Sequence, residues 1–268
     1  MRFQADQALD SAVGVGEMAL TSEEYDRWYQ APRGRWIGRL EYGAVRALLK
    51  PHPEESLLDV GCGTGYFTRC FAHDQAAAVV GVDPDPAALE FARIHAAIHE
   101  TYLLASGESL PFPSGSFDLA IAITAMCFVH DQVAFLREMA RVTRRCFAVG
   151  LLNRRSLLWR RVRRAAGQGG YQGAHWHTKQ EIVRLCTNAG ISALFIGTAL
   201  QFPSANGVAR VLERILPIWW PWGGFLVLLA GPVPSQGVPV AGSRHPEVPQ
   251  EVSRGLVEAV HPAIRTVQ

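Results

Sequence analysis

The residues best suited to chemistry stand together in "LLDVGCGTGYF", Leu57 to Phe67, where an apolar run breaks into Asp59, Gly61, Gly63 and Gly65. Glycines at alternate positions let a turn be tight and let a ligand approach the backbone. Between a buried strand and a helix, such a turn is where an open parallel sheet holds a nucleotide, at the carboxyl ends of its strands. A triphosphate loop requires G-x-x-x-x-G-K-[ST], and no such lysine follows. A dinucleotide loop requires G-x-G-x-x-G, and counted from Gly61 and Gly63 its third glycine falls on Tyr66. That glycine is the one that allows close helix–strand packing. Two readings remain: a nucleoside without phosphates, or a turn that binds nothing.

Asp83 ends a second apolar run, "AVVGVD", about 20 residues past the loop, where an acid can accept from both ribose hydroxyls. Asp85 fits better as the cap of a helix opening at Pro86. His130, His175 and His177 are the imidazoles nearest the expected cleft. Each reads either as a general base or as a structural side chain. Arg154, Arg155, Arg160, Arg161, Arg163 and Arg164 crowd into one short segment. They read as a recognition surface for an anionic group, or as the solvated face of a helix resting on Leu157, Leu158, Trp159 and Val162.

The elements that must position these groups alternate. Tyr25 to Lys50 is expected to be helical, and "KPHPEES" ends it because prolines cannot sit inside a helix. "SLLDVG", "AVVGVD", "TYLLAS", "FDLAIAIT" and "CFAVGLL" read as strands. Tyr66–His73, Pro86–Ile98 and Asp131–Thr143 read as the helices between them, Asp131 capping the last. Near-continuous apolar strands alternating with helices predict a parallel sheet covered on both faces. Residues 153–177 break the rhythm as an insertion. Thr178–Ala189 resumes as a helix ended by Gly190, "SANGVARVLERIL" is a short helical pattern, and "ISALFIGTAL" and "GGFLVLLAG" supply the last strands. Residues 232–268 read as a flexible tail.

The 268 residues suffice for one large α/β domain or two small ones, and 49% hydrophobic with 19% charged residues suits a globular core. A net charge of +2 excludes a strong polyanion binder, so no DNA is expected, and RNA is the weaker of the anionic ligands. Five widely spaced cysteines without C-x-x-C argue against a disulfide framework and a zinc site, so no metal is assigned and a reducing, cytoplasmic location is expected. The apolar stretch Ile215–Val233 is broken by Pro217, Pro221, Gly223 and Gly224. It reads as a turn and a buried strand rather than a membrane span, with surface contact by Trp219, Trp220 and Trp222 as the other reading.

Asp59-Val60-Gly61-Cys62-Gly63-Thr64-Gly65 resembles the first motif of the class I S-adenosylmethionine (SAM)-dependent methyltransferases. "LLASGESLPFPSGSFDLAIAIT" resembles the "GDAE-x-LPFPD-x-SFDLV" stretch of their type 11, ubiquinone/menaquinone methyltransferase-like group. The resemblance covers roughly Tyr25 to Ala199 and includes "FLREMARVTRR". It implies a Rossmann-like, seven-stranded mixed sheet, helices on both faces and the last strand antiparallel, carried by residues 51–231. Residues 1–50 would form a helical segment over the cofactor.

By the same resemblance, SAM contacts Asp59, Gly61, Cys62, Gly63 and Gly65 in the loop, and Asp83 and Pro84 after the second strand. Ser106, Gly107 and Glu108 would meet the adenine, and the Thr124 backbone the amino acid end. Ser106 stands where the family has an Asp, and a hydroxyl is a shorter, uncharged acceptor. Tyr25, Trp28 and Tyr29 would close the site and face the sulfonium, or pack on the sheet edge. The insertion would lie over the substrate opening. The implied activity is methyl transfer to a small molecule, anionic or lipid- or quinone-like. His130 and His177 are the candidate bases. A non-catalytic SAM-binding regulator and, further off, a NAD-type oxidoreductase are the other readings.

Overall fold

The computed structural model describes residues 21–74, 78–164, 171, 173–202, 213 and 220–231. The apolar runs become strands because both faces of the sheet are covered. β1 (Leu57–Val60) buries all four of its residues, and β4 (Phe117–Ile123), β5 (Thr143–Leu152) and β7 (Phe225–Gly231) are nearly as enclosed. With β2 (Val79–Asp83), β3 (Glu100–Leu104) and β6 (Ser192–Ala199) they form one seven-stranded sheet in the order β3-β2-β1-β4-β5-β7-β6. β1 pairs in parallel with β2 and β4, while β7 runs antiparallel to β5 and β6. The mixed sheet with an antiparallel last strand is therefore observed. The strand order reverses beside β1, and ligands bind at such a switch point.

Helices α3 (Tyr66–Asp74), α4 (Pro86–Ile94), α5 (Gln132–Val142) and α7 (Lys179–Ala189) make the crossovers. Asp85, Asp131 and Thr178 cap α4, α5 and α7, and Gly190 ends α7 in the left-handed conformation. These stops were readable because capping chemistry is local. Two boundaries differ from expectation. The helix from Pro86 ends at Ile94, leaving Ile98 95% exposed. β5 begins at Thr143, directly where α5 stops, so no turn separates them.

The leading segment is two helices, not one: α1 (Ser22–Gln30) and α2 (Pro32–Leu49), with Ala31 extended between them. Proline disfavours helical backbone in the residue before it, which is the physical reason for the break. Thr21 and Glu24 form a capping box on α1. Ile37, Val45 and Leu49 pack inward as expected. Trp28, Leu40 and Leu48 are half-buried, whereas the polar Asp26 and Glu41 are buried. No helix among the described residues is long and apolar enough to cross a membrane. The buried strand expected at Phe225–Ala230, within the stretch 215–233, is present as β7. The pattern "SANGVARVLERIL", apart from Glu213, and the expected 232–268 tail lie outside the described residues.

Candidate functional site

The loop between β1 and α3 is fixed by backbone bonds. The N–H groups of Gly61 and Cys62 both donate to the Val82 carbonyl, at 2.7 and 3.0 Å. Gly61, Gly63 and Gly65 have φ of 74°, 53° and 80°, a region that side chains disfavour. A Cβ at Gly61 would lie 2.2 Å from the Ala125 Cβ, and one at Gly65 would lie 2.5 Å from the Tyr102 hydroxyl. A Cβ at Gly63 would project into open space, meeting nothing within 4 Å beyond its chain neighbours. The Gly63 N–H donates to Asp83 Oδ2 at 2.7 Å, and Asp85 N–H donates to Asp83 Oδ1 at 2.9 Å. Each carboxylate oxygen keeps a further lone pair. Burial raises the Asp83 pKa, against the two backbone bonds that lower it. An open cradle over a glycine, walled by a carboxylate at the end of β2, fits a ribose.

Two expected contacts are arranged differently. The Cys62 side chain points away from the cradle into a small cluster with Leu89, Ala92 and Tyr102, so only its backbone belongs to the loop. Asp59 is 2% exposed and accepts a 2.7 Å bond from the Thr68 hydroxyl, which ties β1 to α3. Burial pushes the Asp59 carboxyl up to about 7, with the Asp83 charge acting the same way.

Past β3, the Glu108 N–H donates to Ser106 Oγ at 3.2 Å, and Glu108 Oε1 accepts from the Asp131 N–H at 2.7 Å. Glu108 thus holds the start of α5. A Cβ at Gly107 would lie 2.3 Å from Phe135, which explains glycine there. Pro84 is exposed beside Asp83. At the end of β4, Thr124 is left-handed (φ 61°) and opens a short 3-10 turn, Ala125–Phe128. Its N–H bonds the Gly150 carbonyl at 2.9 Å. That strained residue carries no sequence signal.

α1 is tied to the loop by a residue that the sequence reading missed. Asp26, 6% exposed, meets Arg69 at 2.5 Å and the Thr64 hydroxyl at 3.5 Å, while Arg69 also donates to the Thr64 carbonyl at 2.6 Å. Asp26 lies three residues before Tyr29, on one helix face, and that spacing was the available signal. Tyr29 is buried and stacks on Tyr66, ring centroids 4.0 Å apart. Tyr25 stands edge-on to it, with their hydroxyls 3.3 Å apart, and stays 38% exposed. Tyr29 therefore packs in the core cluster, and Tyr25 keeps an open face. Burial pushes the Tyr25 phenol up to about 12, and the Glu41, Asp83 and Asp59 carboxylates act in the same direction.

The insertion closes at its base, where Asn153 and His177 form a bridge. Asn153 Nδ2 donates to the Pro221 and Gly223 carbonyls at 2.9 and 2.7 Å. Within the insertion, α6 (Leu157–Arg164) buries Leu158 and half-buries Trp159 and Val162, turning Arg160, Arg161 and Arg163 outward. Arg154 is paired with Glu181, and Arg163 lies 4.9 Å over the Trp159 ring. His177 is fully buried, with Nε2 3.1 Å from Gln132 Oε1. Gln132 donates its own amide to the Met126 carbonyl, so Nε2 is the protonated nitrogen, and Nδ1 has no partner among the described residues. Burial, then His175, pushes the imidazole down to about 4. His175 and His130 are exposed.

A methyltransferase domain model matches residues 58–146. A Mycobacterium tuberculosis protein is 33% identical over 195 residues, covering 69% of this chain, and the chain spans 63% of that relative's length. An uncharacterised methyltransferase of Mycolicibacterium gilvum is 31% identical over 183 residues, covering 63% of this chain and 68% of the relative. The crystal structure of a SAM-dependent methyltransferase from Thermotoga maritima, described as a possible histamine N-methyltransferase, superposes with a TM-score of 0.61 at 26% identity. It covers 78% of this chain and 94% of that one. With the glycine loop, the β2 acid and the 3-2-1-4-5-7-6 sheet, these similarities identify the chain as a member of the class I SAM-dependent methyltransferases, whose cofactor is S-adenosylmethionine.

Proposed function

We propose that the chain transfers a methyl group from SAM to a small-molecule acceptor, with the cofactor held across the ends of β1 to β4. The observation that carries this reading is the Gly63–Asp83 bond beneath open space. When bound, SAM supplies a methyl on positive sulfur, which is electrophilic by itself. The protein's work is then to hold, orient and keep water out. Asp83 takes the ribose hydroxyls on its remaining lone pairs. The backbone of Gly61 and Gly63 gives the close approach, with Cys62 and Gly65 shaping the turn. Gly107 N–H and Ser106 Oγ face the adenine, with Pro84 on one rim and Glu108 fixing the wall through Asp131. The Thr124 backbone meets the amino acid end. Tyr25 lies over the site, while Tyr29, Asp26 and Asp59 hold its supports in place.

The acceptor enters between the 3-10 turn, the insertion and the segment before β7. β5 and β7 pair Leu152 with Phe225, so the residues just before β7 sit at the same end of the sheet as the loop. Exposed Phe128, Leu157 and Trp222 belong to these three segments and favour an acceptor that is apolar in part. The Arg-rich helix is then a solvated face. His177, fully buried and held neutral, braces the wall through Gln132 rather than reaching the substrate, which leaves exposed His130 as the candidate base. Calorimetry with SAM, S-adenosylhomocysteine (SAH) and NADH tests the cofactor, and turnover over phenols, quinones, amines and lipids tests the acceptor. Micromolar SAM binding with no NADH binding is expected. Absence of SAM binding overturns the proposal.

A further inference from the structure

Glu41 is the charged residue on the buried face of α2, among Gly34, Ile37, Gly38, Val45 and Leu49. It is 7% exposed, and its carboxyl has no hydrogen bond or ion pair among the described residues. The other buried acids have partners: Asp26 meets Arg69, and Asp59 meets Thr68. The Glu41 oxygens are not fully enclosed, so the carboxyl meets a narrow opening, and a carboxylate so nearly buried without a partner calls for a compensating group.

The surroundings of Glu41 indicate what that group is. Gly38, one turn before Glu41 on the same buried face of α2, packs against two tyrosines: a Cβ there would lie 2.9 Å from the Tyr29 ring and 2.8 Å from the Tyr66 hydroxyl. The Glu41 charge acts in turn on the phenols of Tyr25 and Tyr29 from α1 and Tyr66 from α3. The Tyr25 phenol also senses Asp83 and Asp59, at the ends of β2 and β1. Arg35 and Arg39, on α2 itself, act on Tyr66. β4 and β5 also pack against α2. Their charged residues Asp118, Arg144 and Arg145 belong to the opposite end of the sheet, where Arg145 reaches the Leu49 carbonyl at 2.8 Å. Cys146 also lies toward that end of β5, early in the strand. Glu41 therefore lies on the helix face that meets Tyr29 and Tyr66, the residue after Gly65 of the loop, with no ion-pair partner among the described residues. A carboxylate with aromatic faces is the setting that attracts an organic cation.

We propose that Glu41, with Tyr25, Tyr29 and Tyr66, is the counter-charge for the sulfonium end of SAM bound against the glycine loop. This rests on the SAM reading above. A cationic amine acceptor shares the chemistry, but it would enter beside Gln132 and His177, whereas Tyr66, stacked on Tyr29, directly follows Gly65 of the loop. Before binding, burial holds Glu41 protonated up to about pH 8. A cation beside it favours the ionised form, so SAM binding near neutrality releases a proton.

Calorimetry with SAM and SAH on wild type and Glu41→Gln tests the proposal, because SAH keeps every part of SAM except the methyl and its charge. The SAM-to-SAH affinity ratio is expected to fall at least tenfold in E41Q while SAH binds within twofold of wild type. Sinefungin, with an amine at that position, follows SAM. In wild type, SAM binding enthalpy varies with buffer ionisation enthalpy near pH 7 and SAH binding enthalpy does not, a readout that needs no variant. An unchanged ratio, or no SAM-linked proton, overturns the proposal. So does loss of phenethylamine binding in E41Q with the ratio intact, which assigns Glu41 to the acceptor. If wild type fails to bind SAH, the SAM reading fails instead.

Discussion

The loop after β1 and the insertion after β5 sit at the same end of one sheet, yet they are held by different forces. The loop is a backbone structure: left-handed glycines, two N–H groups on the Val82 carbonyl and a third on Asp83. The insertion adds side-chain clasps to a backbone bridge: Arg154 N–H bonds the His177 carbonyl, while Asn153 Nδ2 holds the Pro221 and Gly223 carbonyls and His177 stands against Gln132. Their buried titratable groups also oppose one another. Around the loop these are acids, with Asp59 pushed up to about 7 and Glu41 to about 8. Under the insertion it is an imidazole, with His177 pushed down to about 4. Protonated acid thus gathers beside the loop, and a neutral imidazole under the insertion.

Asp83→Ala tests the loop side most severely. It removes the anchor of Gly63 and the carboxylate proposed for the ribose together, so SAM affinity measured by calorimetry should fall by about 100-fold, the scale of one or two charge-assisted bonds. Retained affinity would separate the cradle from the cofactor.

Gly61→Ala and Gly63→Ala divide the loop itself. The first drives a methyl into Ala125 at positive φ and should cost about 3 kcal/mol in urea unfolding. The second meets open space and should cost only about 1 kcal/mol, the backbone term alone, while still weakening SAM binding.

pH separates the two regions. Asp59 and Glu41 have raised folded-state values, so unfolding releases protons and stability falls as pH rises from about 4 toward 8. His177 has a depressed value, so its contribution is present above 6.5 and is lost as pH falls toward about 4. Glu41→Gln should flatten the alkaline slope and His177→Gln the acid slope, each by on the order of 2 kcal/mol in denaturant titrations. Identical slopes in the two variants would erase the contrast.

The smallest effect belongs to the exposed arginines. The double change Arg155→Ala with Arg160→Ala should alter stability by less than about 0.5 kcal/mol and leave SAM binding unchanged. A large loss of turnover would restore an anionic acceptor.

The sequence by itself determined the cofactor half. Asp59, the three glycines and Asp83 are recognisable because a tight turn and a strand-end acid depend on residue type and spacing within some 20 residues. The sheet with its antiparallel last strand was likewise legible from alternating runs, together with the family resemblance. Side-chain direction was not, which is why Cys62 turned away from the cradle and Tyr29 into the core. Only the tertiary structure could bring Asp26 to Arg69, 43 residues on, or His177 to Gln132, 45 residues back. Only it could leave Glu41 nearly buried without a partner among the described residues. Burial and pairing at a distance are properties of the packed chain, and local spacing does not encode them.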